Sequence, residues 1–339
     1  MKLKVVLVII LGLSVYAFAQ DDFSKVATGT AQFLKLGAGA RGTALGDAYS
    51  ALVNDATAMY WNPAGIQKVQ HIAISASRTY LFADINYDFL GAVVPIDENT
   101  SVGVSVLYLS SGDIERTTID EPEGTGDTFD TGHSSIGITV ARSLTQRFDL
   151  GVTIKYISER LFREEASTIA FDVGSQFDTG IYGIKLGMVL SNFGGKMKFD
   201  GPDLDRPITN DQTSIRYDNG GRWKTEEWPI PLLFRLGIRT DLLGMNSELI
   251  YSESNRITLL LEGNDPIDNV LRYNFGLEYE WNTMLALRLG YKLNYDEADI
   301  TAGLGFDLTK LGFNLKIDYA FNNYGLLGYV HNYTLEFRF

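Results

Sequence analysis

The sequence predicts an all-β protein: a transmembrane antiparallel β-barrel of about 14 strands, preceded by a short helical plug segment. Three observations predict it. An apolar leader opens the chain, alternation with period two recurs from residue 70 onward, and the last strand ends on an aromatic residue.

The leader reads as a signal peptide over residues 1–19. Lys2 and Lys4 supply a positive start, Val5 to Val15 is apolar, and Ala17-Phe18-Ala19 is a small-x-small cleavage site before Gln20. The apolar run is shorter than the roughly 20 residues a spanning helix needs. After it, no run is long and apolar enough to cross a bilayer as a helix. A mature chain placed in a membrane must then close into a barrel to satisfy its backbone.

Composition agrees. The 339 residues include no cysteine, which removes disulfides, thiolate metal sites and an acylated lipoprotein terminus. The formal net charge is −13, with no basic tail, which argues against nucleic acid as a partner. Glycine (34 residues) and aromatics (12%) are plentiful beside 21% charged residues, a mixture that suits a membrane barrel better than a soluble enzyme.

The barrel is expected over residues 70–339. In Leu285-Ala286-Leu287-Arg288-Leu289-Gly290-Tyr291-Lys292-Leu293 the odd positions are all large and apolar, while the even ones are small or charged. Alternate side chains of a strand point to opposite faces, so one face is wholly greasy. A soluble sandwich alternates too. Here, however, the apolar face is unusually complete and aromatic, and the other face is rich in Gly, Ser and Thr, as a lumen would be. Fourteen strands are read near 71–80, 85–95, 100–109, 133–142, 148–157, 168–177, 182–192, 230–240, 255–262, 270–280, 284–293, 299–308, 311–321 and 331–339.

Loop lengths predict an orientation in a bacterial outer membrane with both termini periplasmic. Connections after odd strands include the long 110–132 and 193–229, with 158–167 and 322–330. Those after even strands are short, except 241–254, which either is a periplasmic excursion or holds a further short strand near Ser247 to Tyr251. The last strand carries Tyr333, Leu335, Phe337 and Phe339 on one face, the aromatic ending typical of an outer-membrane assembly signal.

Residues 20–69 form the predicted plug. Ala44, Leu45, Ala48, Ala51 and Leu52 sit at helical spacing and predict a helix from about Thr43 to Val53. Pro63 forces Asn62 out of the helical region, and Gly65 permits a reversal. The segment is too small-residued for its own core. It would either fill the barrel mouth or lie across the periplasmic opening.

At this stretch a resemblance appears. Phe33-Leu34, Ala40-Arg41, Leu45-Gly46-Asp47-Ala48, Asn54-Asp55-Ala56 and Tyr60-Trp61-Asn62-Pro63-Ala64-Gly65 resemble the start of the PorV/PorQ family of outer-membrane proteins, within the FadL-like superfamily. The motif positions are Phe33, Arg41, Gly46, Asp47, Asp55, Trp61, Asn62, Pro63 and Gly65. The resemblance implies a role in type IX protein secretion, binding the C-terminal domains of secreted cargo or attachment-complex subunits. The alternative it leaves open is a FadL-like transporter of hydrophobic molecules.

For the first reading, the partner-binding candidates are the aromatics of the longest loop: Phe199, Tyr217, Trp223 and Trp228. Outer-membrane lipid is the other expected partner. No enzyme and no cofactor are expected. His71, His133 and His331 are not placed to converge with a Ser and an Asp. The acidic stretches 123–130 and 200–205 match no EF-hand and read as solvated loops rather than calcium sites. The inward-facing charges carry both signs, among them Lys155, Asp172, Arg235, Glu262, Glu278, Arg288, Lys292 and Asp318. Paired across strands they would fill the lumen as a salt-bridged network, against the alternative of an open pore.

Overall fold

The computed structural model describes residues 28–206 and 221–339. The signal peptide and Tyr217 lie outside the described residues. The chain forms a closed antiparallel barrel of fourteen strands. In chain order these are β1 (Ala73–Tyr80), β2 (Asn86–Asp97), β3 (Thr100–Ser110), β4 (Thr131–Thr145), β5 (Phe148–Leu161), β6 (Glu164–Asp178) and β7 (Lys185–Gly194). They continue as β8 (Leu233–Gly244), β9 (Asn255–Pro266), β10 (Arg272–Trp281), β11 (Leu285–Leu293), β12 (Ile300–Asp307), β13 (Leu315–Asn323) and β14 (Tyr329–Arg338). Each strand pairs with its chain neighbours, and β14 closes the ring on β1, Arg338 opposite Ala73.

Closure leaves no unpaired edge, which the bilayer demands. The faces divide as the alternation predicts. Along β1 burial alternates strictly, with Ala73, Ser75, Ser77 and Thr79 inward. Outward positions such as Leu287, Leu289 and Tyr291 on β11 are exposed large apolar side chains, the lipid-facing band. Inside, the plug occupies the lumen and buries most of the polar face.

Three differences from the sequence expectation have physical reasons, and one of two open alternatives is decided. The expected loop 158–167 is a turn at 162–163, because β5 and β6 stay paired up to Leu161 and Glu164. Beyond Tyr156 and Ile169 their outward residues become polar (Ser158, Arg160, Ser167, Glu165). The greasy alternation therefore stops at the membrane edge while the hydrogen-bond ladder runs on above it. The connection 245–254 does hold a two-residue strand, Ile250–Tyr251, paired in parallel with Leu243–Gly244. β13 begins at Leu315, later than expected, after a 3₁₀ turn at Thr309–Leu311 that Gly312 ends at φ +87°.

The third difference is in the plug. The helix expected over Thr43 to Val53 is only Ala40–Ala44. Gly46 and Asp47 follow at φ +64° and +66°, a left-handed pair that cannot continue a right-handed helix. The alanine spacing that suggested a helix instead reflects close approach to the wall. A 3₁₀ turn at Gln32–Lys35, a short helix at Ala58–Trp61 and a 3₁₀ stretch at Pro63–Lys68 complete the segment.

Candidate functional site

The plug runs the length of the lumen. At the end carrying the long loops, Thr30 N–H donates to the Pro229 carbonyl (3.0 Å), and Thr30 Oγ1 donates to Glu159. Gln32 and Lys35 hold Asp268, at 2.9 and 3.0 Å. His133, which contacts Glu159 at 3.2 Å, stacks on Phe33. At the opposite end, Lys68 pairs with Asp149 (2.5 Å) just before β1 begins. Thr28 and Phe339 thus lie at opposite ends of the barrel. The expectation that both termini share the periplasmic end does not extend to the described N-terminal residues.

Between these ends the plug is seated by two devices. The first is steric. Lumen-facing glycines recur on β2 (Gly91), β3 (Gly103), β5 (Gly151), β6 (Gly174), β7 (Gly187), β8 (Gly237), β10 (Gly276), β11 (Gly290) and β12 (Gly303), each against a plug atom. A Cβ on Gly187 would sit 2.6 Å from the backbone of Ser50 and Ala51, and one on Gly276 would sit 2.9 Å from the Leu45 carbonyl. Real Cβ contacts essentially never fall below 3.0 Å. At this girdle the plug backbone touches the wall.

The second device is electrostatic, and it uses the motif residues. Arg41 grips Glu278 with two hydrogen bonds of 2.9 Å and also donates to Asn54 (2.7 Å). Glu278 takes Arg288 (2.7 Å) and Arg256 (3.2 Å) as well, and Arg288 continues to Asp318 (2.6 Å). Burial alone would lower the Arg41 pKa, but the Glu278 carboxylate outweighs it and holds the guanidinium protonated. Asp47 pairs with Lys292 (2.5 Å). Asp55 accepts from Tyr49 Oη (2.5 Å) and from the Thr57 N–H (2.9 Å).

Asn62 caps the 3₁₀ stretch by accepting from Ala64 N–H, and its amide donates to the Ser50 and Ser175 carbonyls at 2.9 and 3.0 Å. Pro63 sits at the first position of that stretch, where its missing N–H costs nothing. Trp61 Nε1 donates to the Ala38 carbonyl (2.6 Å), and its ring lies over Gly42. Gly65 lies against Val53, with no room for a side chain. Arg235 caps the aromatic pair Tyr60 and Trp61 at 5.1 and 5.0 Å. Burial, partly opposed by Arg235, pushes the Tyr60 phenol up to about 12.

The predicted network of inward charges is present. Lys155 reaches Asp172 (2.8 Å), and Glu262 accepts from the Ser50 N–H and hydroxyl at 2.9 and 2.6 Å. Sequence reasoning named these charges but not their plug partners, which lie more than 200 residues away in the chain for Arg41–Glu278 and Ser50–Glu262.

The long-loop end carries the exposed aromatics. Trp223 is 65% and Trp228 45% exposed, whereas Phe199 is half-buried and packs on the core above the plug. The Trp228–Pro229 strand pairs with Lys196–Met197. The carboxylates of 200–205 are engaged by arginines: Arg222 holds Asp200 (2.5 Å) and Asp205 (3.3 Å), and Arg163 holds Asp203. On β14, Tyr333, Leu335 and Phe337 face outward, and Phe339 N–H donates to the Ile72 carbonyl (2.8 Å).

Comparison with known proteins agrees with this architecture. The chain is similar in fold to CymD, a monoaromatic hydrocarbon channel (TM-score 0.61, 12% identity, 89% of this chain and 97% of that one). The Pseudomonas putida toluene transporter TodX gives a TM-score of 0.56 at 13% identity, covering 88% of this chain and 96% of the other. A Pseudomonas aeruginosa FadL homologue gives 0.50 at 12%, covering 89% and 98%. At such identities the likeness shows the fold alone. No curated protein matches the sequence. A family model described as type IX secretion system protein PorV matches residues 18–267. The chain, an outer-membrane barrel of FadL-like fold with a seated N-terminal plug, belongs to the PorV family.

Proposed function

We propose that this barrel is a protein-binding component of type IX secretion that engages secreted cargo domains or attachment-complex subunits through its long-loop end. One observation carries the reading. The lumen is filled at the glycine girdle, backbone against backbone, so the face available to a partner is the loop end rather than a conduit. In this reading the turns at 98–99 and 146–147 and the C-terminus face the periplasm, and the loop 195–232 faces the cell surface. Trp223 and Trp228 are the anchors, since large exposed aromatics dominate most protein interfaces. The test is capture of partners from cells by tagged, detergent-extracted protein, identified by mass spectrometry. The reading expects secreted proteins sharing a C-terminal domain, or translocon and attachment subunits, to be lost on Trp223→Ala plus Trp228→Ala. Near-stoichiometric co-purified fatty acid with no protein partner would overturn it.

The second reading, transport of hydrophobic molecules, draws on one feature. The β7–β8 ladder ends at Ser191 opposite Leu233, where β7 bulges at Asn192 (φ +62°). Asn192 closes that break, its amide donating to the Pro231 carbonyl (2.8 Å). An exit through the wall would have to open there.

A further inference from the structure

We propose that the outer wall carries a site for a phosphate-bearing lipid headgroup, at the loop-end edge of the lipid-facing band. This inference rests on the membrane barrel and not on the cargo-binding role.

The site is a cavity of about 500 Å³ on the outside of β5 and β6, roofed by residues 196–200. Its height on the wall comes from the outward residues. On β5, Val152, Ile154 and Tyr156 are exposed and apolar, and the next outward residue is Ser158. On β6, Val173, Phe171 and Ile169 give way to Ser167 and Glu165. β7 ends its apolar face at Phe193, 62% exposed. The cavity therefore spans the level where hydrocarbon ends and headgroups begin, with Tyr156 at its floor as an interfacial aromatic.

Lys196 and Lys198 line it together with the hydroxyls of Tyr156, Ser158 and Ser167. These lysines differ from those inside the barrel. Lys35, Lys155 and Lys292 each pair with a carboxylate within about 3 Å. Among the described residues, neither Lys196 nor Lys198 has an ion pair. In a chain of net charge −13, two unpaired ammonium groups alternate on one face of one short segment, at headgroup depth. Such an arrangement attracts an anionic headgroup. Glu165 and Glu227 also line the cavity, while Asp200 is engaged by Arg222. Mixed signs favour a headgroup whose phosphate meets the lysines while its hydroxyl or ammonium donors meet the carboxylates, as in a phosphorylated sugar.

The test uses the full chain, delipidated in detergent and titrated by native mass spectrometry with bisphosphoryl lipid A, dephosphorylated lipid A and inorganic phosphate. The expected result is that bisphosphoryl lipid A binds, that its dephosphorylated form binds roughly tenfold or more weakly, and that millimolar inorganic phosphate displaces neither. Lys196→Gln with Lys198→Gln should weaken lipid A binding by a similar factor, while Lys310→Gln, an exposed lysine at the other end, leaves it unchanged. Equal binding of the two lipids by the wild type overturns the proposal, and this arm needs no variant to fold. Equal binding by the double variant also overturns it. Displacement by inorganic phosphate assigns the cavity to the free anion and overturns the lipid.

Discussion

Gly290 of the wall and Gly46 of the plug meet so closely that a Cβ on Gly290 would lie on the Gly46 nitrogen, well inside the 3.0 Å that real side chains keep. The contact is backbone to backbone, so it cannot be relieved by swinging a side chain aside. Gly290→Leu is therefore expected to displace the plug. Single-channel recording in planar bilayers should then show conductance that the wild type lacks. Gly263→Ala, at an outward-facing wall glycine with nothing within 4 Å, is the control and should stay closed. A silent Gly290→Leu barrel with normal stability would mean that the plug yields without opening.

Arg41→Ala removes the plug's grip on Glu278. Breaking a buried pair costs about 3–5 kcal/mol. Arg288 and Arg256 still neutralise Glu278, so the lower end, about 3 kcal/mol, is expected. Urea unfolding of the barrel in lipid vesicles measures it. Arg41→Lys, which keeps the charge but loses the two-pronged contact, should recover only part.

Acid should loosen the plug at the loop end first. Burial pushes the Asp268 carboxyl up, but hydrogen bonds from Gln32 and Lys35 outweigh it and hold its pKa below the ordinary value. A depressed carboxylate contributes stability above its unfolded value of about 3.9, and that contribution disappears as pH falls through the folded value. Hydrogen-exchange protection over residues 29–36, corrected for the intrinsic rate at each pH, should fall between about pH 4 and pH 2, ahead of the strands. Asp268→Asn should show fast exchange already at neutral pH.

Phe339 is 71% exposed and contributes one backbone hydrogen bond at the barrel base. Phe339→Ala should then leave the refolded barrel's stability within about 0.5 kcal/mol of wild type. If the terminal aromatic is an assembly signal, the same variant should sharply lower the amount of folded barrel in the outer membrane of living cells. Unchanged levels would remove that role from Phe339.

The strands were legible because a lipid-facing wall writes its period directly into the sequence. Leu285 to Leu293 needs no partner to be read. Most of the failures share a cause, which is that the information sits elsewhere in the chain. β5 and β6 continue above the membrane, where outward residues are polar and the period is invisible. The alanines of 44–52 imitate a helix because the wall, not the local turn, requires small residues there. Arg41 was recognisable as part of a motif, but Glu278 was one inward charge among many until the fold brought the two together. Glycines on the polar face were visible as a composition. Only the plug explains why they are glycines.

The route of the plug also constrains how the molecule is made. The chain enters at the loop end, descends the lumen, and turns directly into β1 at the other end, while the ring is completed only when β14, the last strand, meets β1. Pre-formed walls that touch the plug backbone at the girdle leave no clearance for threading. The contacts favour a sheet that curls around a segment already in place. On that route residues 29–68 would act as a mandrel for the wrapping strands, and closure of the last strand on the first would be the most non-local step of folding.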